Sequence, residues 1–66
     1  MKIFVNGKET ILSENSSVQD FVNGSDFSNR PFAIEKNTQI VSKANYSETF
    51  LSEGDKIEVI TLCAGG

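Results

Sequence analysis

The hydrophobic positions at the start of the chain alternate: Met1, Ile3 and Val5 fall on one side of an extended backbone, and Phe4 falls on the other. Period two is the signature of a strand with one buried face. Asn6-Gly7 follows at once, and both residues accept the positive φ of a tight hairpin turn, so Glu9-Thr10-Ile11-Leu12 is predicted to return antiparallel. Ser13 to Ser16 is polar and turn-like. Ser17 then precedes Asp20 by three positions, a capping-box spacing with Asp in place of the usual Glu or Gln. Val18, Phe21 and Val22 sit at i, i+3 and i+4 and share one face of a helix. Asn23-Gly24-Ser25 are poor helix formers and are predicted to end it after about two turns.

Beyond the helix, Phe27 is a lone apolar residue in a polar loop, expected to fold back over the open end of the core. Arg30-Pro31 marks the exit from that loop, because a residue before proline is driven out of the helical region. Phe32-Ala33-Ile34-Glu35-Lys36 and Gln39-Ile40-Val41 flank Asn37-Thr38 and read as two short strands around a turn. Thr38 is β-branched and fits positive φ badly, which leaves the turn type open. Lys43 to Glu48 has no clear period and carries one large group, Tyr46. Phe50-Leu51 reads as a short apolar plug, and Ser52-Glu53-Gly54-Asp55 as a reversing turn. A last strand over Lys56 to Leu62 places Ile57 and Val59 on one face, with Ile60 and Leu62 on the other.

The order strand, strand, helix, strand, strand, strand contains one hairpin, one crossover helix and a final strand that needs a place in the sheet. If that strand lies parallel to the first in the centre, the helix covers one face and an α+β domain closes. This is the ubiquitin-like β-grasp arrangement: a mixed sheet of four to five strands on one main helix. Residues 1–66 are read as a single domain with a flexible C-terminal tail over 62–66.

Size and charge narrow the functional classes. A chain of 66 residues buries only about 60% of the surface it exposes when unfolded, which leaves no room for a deep active site. Six basic residues against nine acidic ones give a net charge of -3. That balance repels nucleic-acid backbones and favours a partner with a basic surface. Cys63 is the single cysteine, so an internal disulfide and a thiolate cluster are excluded, in keeping with a reducing cytoplasm. The N-terminal apolar run meets Asn6-Gly7 before it can form a signal peptide, and no stretch is long enough to span a membrane. A soluble, cytoplasmic protein is expected.

The last strand delivers Cys63-Ala64-Gly65-Gly66. Glycine at both final positions removes the Cβ that would shield a terminal carbonyl, and it permits backbone angles closed to other residues. Extended, Leu62 to Gly66 spans at most about 18 Å, enough to thread the active site of another protein while the body stays outside. Phe4, Ile60 and Leu62 point away from the predicted core at the root of this tail, and such a patch is a candidate docking surface.

Asn6-Gly7, Ser17-Val18-Gln19-Asp20, Phe32-Ala33-Ile34, Glu53-Gly54-Asp55-Lys56-Ile57 and Ala64-Gly65-Gly66, in this order, resemble the sulfur carrier family of thiamine biosynthesis across essentially the whole chain. The departures are Ser42-Lys43 where many members have Pro-Arg, Tyr46 where Trp is common, and a helix shortened at Gly24. The resemblance implies a co-substrate protein rather than an enzyme, with no cofactor bound. A ubiquitin-activator-like adenylyltransferase would consume ATP to adenylate the Gly66 carboxylate, with Gly65 as the other half of the motif. A sulfur donor such as a cysteine desulfurase persulfide would convert it to a thiocarboxylate, and thiazole synthase would take the sulfur. The nearest alternative is a carrier like the small subunit of molybdopterin synthase. A ubiquitin-like binding module and a β-grasp nucleic-acid module are further classes, the last disfavoured by the acidic balance.

Other candidates read as ordinary structure. Cys63 lies three positions from Gly66, yet no basic residue is near in sequence to lower its pKa, so a small apolar filler is preferred to a sulfur-relay thiol. The pairs Glu53/Asp55 and Glu35/Glu58 are read as solvated acidic surface, since a chain without histidine makes a transition-metal site improbable. Arg30 and Lys43 are read as surface charges.

Overall fold

Alternation at the start of the chain is realised in β1 (Lys2–Val5), where Ile3 is fully buried and Phe4 lies half-buried on the opposite face. A computed structural model describes residues 1–27 and 29–61. Asn6 and Gly7, at φ 51° and 81°, turn the chain into β2 (Lys8–Ile11), antiparallel to β1. Positive φ at both central positions matches the right-handed twist of the flanking strands.

The helix α1 (Val18–Asn23) begins where its capping box predicts. Ser17 Oγ accepts from Asp20 N–H at 3.1 Å, and the Asp20 carboxylate accepts from Ser17 N–H at 3.0 Å. Val18 and Val22 are buried, and Gly24 forms the C-cap. Phe27 does fold back: its ring centroid lies 5.9 Å from that of Phe21 and 4.9 Å from that of Phe32.

β3 (Phe32–Lys36) and β4 (Gln39–Val41) pair antiparallel around Asn37-Thr38. Both turn residues are left-handed, at φ 49° and 75°, which resolves the turn type that the sequence leaves open. A β-branched residue at such a φ is strained. Thr38→Gly is therefore expected to stabilise the fold by about 1 kcal/mol, seen as a higher urea midpoint at unchanged slope. An unchanged or lower midpoint would show that Thr38 is not strained.

Lys43–Glu48, without a legible period, forms a 3-10 helix that buries Tyr46. The Tyr46 ring stacks on Phe32 at 6.3 Å, and burial pushes its phenol above the ordinary range. The Phe50-Leu51 plug is half correct. Leu51 is buried, but Phe50 is 57% exposed. The cause is hydrogen bonding to the helix start: Leu51 N–H donates to Ser16 O and Val18 N–H to Thr49 O, both at 2.8 Å, with Ser17 bridged to Phe50. An extended segment held this way sends successive side chains to opposite sides.

β5 (Lys56–Thr61) completes one sheet in the order β2-β1-β5-β3-β4. It runs parallel to β1 and antiparallel to β3, in the central place predicted for it. Ile3, Ile34 and Ile57 on the three inner strands meet Val18, Val22, Tyr46 and Leu51 in a single core. The fold is a β-grasp: five strands, with α1 on one face.

Candidate functional site

The functional question concerns what β5 carries and what surrounds its far end. Gly65 and Gly66 lie outside the described residues, as do Leu62, Cys63 and the proposed flexible tail. The strand that leads to them is β5.

β5 is held at its start by a dense set of polar contacts. Asp55 accepts from Ser52 N–H at 2.8 Å and from Asn37 Nδ2 at 3.0 Å, and it lies 3.9 Å from Lys36 Nζ. Glu53 accepts from Lys2 N–H at 2.9 Å, and Gly54 N–H donates to Lys2 O at 2.7 Å. Gly54 takes φ 85°, so the turn needs glycine at that position. The Glu53/Asp55 pair thus spends its oxygens on backbone and turn contacts, and its role is to tie the entry of β5 to β1.

The outer face of the sheet, away from α1, is read from the register. Phe4 stands beside Lys56, Glu58 beside Glu35, and Ile60 beside Ala33. Glu35 in turn lies across from the exposed Ile40 of β4. Phe4 and Ile60 do share this face, and Ile60 is 41% exposed. The structure does not bring them together, because Glu58 lies between their two levels and four residues of strand separate those levels by about 13 Å. An apolar depression of about 270 Å³ lies beside Phe4, lined by Gly7, Lys56 and Glu58. A larger cleft of about 440 Å³ follows β4 and is lined mainly by polar groups such as Lys36, Gln39 and Asn45, at the entry of β5 rather than its far end.

Glu35 and Glu58 sit directly opposite on adjacent strands, an arrangement that costs stability through like-charge repulsion. Among the described residues neither forms an ion pair. Arg30 and Lys43 are exposed. Among the described residues no helix is long and apolar enough to cross a membrane.

Sequence reasoning missed the two asparagines. Asn6 Oδ1 accepts from Val59 N–H at 2.8 Å, and Asn37 Oδ1 accepts from Lys56 N–H at 2.9 Å. Each occupies the first position of a two-residue turn flanking β5. Glycine would adopt that φ more easily, so asparagine at both positions is the signal that the side chains are used.

Comparison with known proteins agrees with the fold. The chain matches the ThiS family over residues 2–66. It is 32% identical over 66 residues to a thiazole synthase of Paramagnetospirillum magneticum, covering 100% of this chain and 20% of that protein. The chain thus spans about a fifth of that relative's length. It is 33% identical over 66 residues to the protein ycf40 of Porphyra purpurea, covering 100% of this chain and 93% of that one. The fold is similar to that of the thiamine biosynthesis protein ThiS of Geobacter metallireducens, with a TM-score of 0.79, 21% identity and full coverage of both chains.

Proposed function

The chain belongs to the ThiS family, and on that premise we propose that it is a sulfur carrier of thiamine biosynthesis whose reacting atom is the carboxyl carbon of Gly66. The observation that carries this reading is the family match over residues 2–66, which includes the diglycine.

The chemistry follows from the state of the end group. A terminal carboxylate is ionised at neutral pH, which makes it a nucleophile toward phosphorus and a poor acceptor of sulfur. An activating enzyme lets a Gly66 oxygen attack the α-phosphorus of ATP, and pyrophosphate leaves. The acyl adenylate then loses AMP to sulfide, giving the thiocarboxylate. Where a cysteine desulfurase persulfide is the donor, the product is an acyl disulfide that a further thiol cleaves. The carrier supplies the substrate atom and the surface that presents it. It contributes no catalytic group, and ATP is consumed by the activating partner.

Thiazole synthase is the proposed acceptor. A stretch similar to this whole chain occurs within the polypeptide of a protein named thiazole synthase, and that supports the assignment. Thiocarboxylated protein offered separately to thiazole synthase and to the large subunit of molybdopterin synthase is expected to lose sulfur only to the first. Transfer only to the second would assign the chain to the alternative pathway.

We propose docking to the activating enzyme on the outer face of β5 at Ile60, with Phe4 farther back on that face and Leu62 two positions further along the chain. Replacing Ile60 and Leu62 together by serine is expected to weaken that complex about tenfold, the scale of an interface hot spot. The melting transition should persist, because Ile60 lies outside the core. Unchanged affinity would remove this face from the interface.

A further inference from the structure

β5 has unequal support along its two edges. β3 accompanies it as far as Thr61, which lies across from Phe32. β1 stops earlier: its register with β5 ends at Val5 and Ile57, and its last backbone contact is Asn6 N–H to Ile57 O at 2.8 Å. The Asn6 side chain continues where the strand stops. Oδ1 accepts from Val59 N–H at 2.8 Å, and Nδ2 lies 3.5 Å from Val59 O. A side-chain amide therefore stands where one more residue of β1 would have paired. Backbone groups of successive residues in a strand face alternate edges, so the next pair on this edge belongs to Thr61. Among the described residues that pair has no partner.

We propose that Asn6 is a positioning residue for the reaction at Gly66, holding β5 at Val59 on the edge that β1 has vacated so that the strand leading toward Gly66 keeps one arrangement. The proposal rests on the sulfur-carrier reading for its functional part. Its structural part rests on the two Asn6 contacts alone.

The molecule contains its own control. Asn37 occupies the equivalent position of the other turn, with φ 49° against 51° for Asn6. Its backbone N–H donates to Lys56 O at 2.8 Å and its Oδ1 accepts from Lys56 N–H at 2.9 Å. The device is similar, but it grips Lys56 alone, the first residue of β5, with Nδ2 donating to the Asp55 carboxylate at 3.0 Å, and so acts at the end remote from Gly66.

Asn6→Gly, Asn6→Asp and Asn37→Gly are compared with the wild type in two measurements. One is amide hydrogen exchange at Val59 to Thr61. The other is the steady-state rate of pyrophosphate release by the adenylating enzyme, with the carrier as varied substrate. Loss of one net hydrogen bond in Asn6→Gly should speed exchange at Val59 about fivefold. The KM for the carrier should rise by a similar factor at unchanged kcat, since the partner must select a less populated arrangement of the strand end. Asn6→Asp keeps an acceptor and tolerates the left-handed turn, so its KM should fall between wild type and Asn6→Gly. Asn37→Gly should leave KM unaltered.

A residue serving only the turn gives the opposite order, with glycine equal to or better than asparagine and aspartate worst. That order overturns the proposal, as does an equal rise in KM for Asn37→Gly. If the wild-type chain is not adenylated, the sulfur-carrier reading fails and the functional part of the proposal falls with it. Exchange at Val59 then decides the brace: faster exchange in Asn6→Gly upholds it, and wild-type exchange refutes it.

Discussion

Removal of Gly66 is expected to abolish sulfur loading while leaving the fold unchanged. Removing one residue withdraws the carboxyl by at most about 3.6 Å. Misplacing a reacting atom by even about 1 Å can cost a hundredfold in rate, so adenylate formation should drop by at least that factor. The buried core runs from Ile3 to Ile57, so the melting temperature should not move. Full-rate loading of the shortened chain, measured by pyrophosphate release, would show that Gly66 is not the acceptor.

Ile57→Ala carries the second large effect, on stability. Ile57 is fully buried in the central strand and belongs to one core cluster with Ile3 of β1 and Ile34 of β3. Deleting a buried isoleucine to alanine costs about 2–5 kcal/mol through lost burial and the cavity that remains. A domain below about 70 residues commonly has only about 3–5 kcal/mol in total. The variant should therefore be largely unfolded at 25 °C by circular dichroism, whereas Ile57→Val, costing about 1 kcal/mol, should keep a cooperative transition. A well-folded Ile57→Ala would mean that the centre of the sheet is not the centre of the core.

The two expectations divide the molecule into a body that must be packed and an end that must be presented, and the sequence reveals them unequally. Features set by local chemistry are legible. Ser17 and Asp20 form the capping box that their spacing predicts, and Asn6-Gly7 forms the left-handed hairpin turn. The central place of β5 follows from chain order, because the one helix must return across the sheet before the last strand enters it.

Features set by distant partners are not legible. The 3-10 helix is too short to show a period, and Tyr46 is buried because Phe32 lies under its ring. Phe50 is exposed because its neighbours are bonded to residues more than thirty positions earlier, at Ser16 and Val18. Phe4 and Ile60 alternate correctly onto one face, yet only the parallel register shows Glu58 between them. Asn37-Thr38 hides its turn type because Thr38 accepts a strained φ that its own preference opposes. The bonds from Asn6 to Val59 span fifty-three positions and have no local trace beyond the choice of asparagine over glycine.

The central claim, that the carboxyl end of this chain is activated and exchanges oxygen for sulfur, is tested most directly by intact mass. The wild-type protein is incubated with a cognate adenylating enzyme, ATP and sulfide, and its mass is compared with a sample lacking ATP. The account predicts a gain equal to the difference between sulfur and oxygen, localised by fragmentation to Gly66. An unchanged mass under conditions that load another family member, or a gain at Cys63 instead, would contradict it.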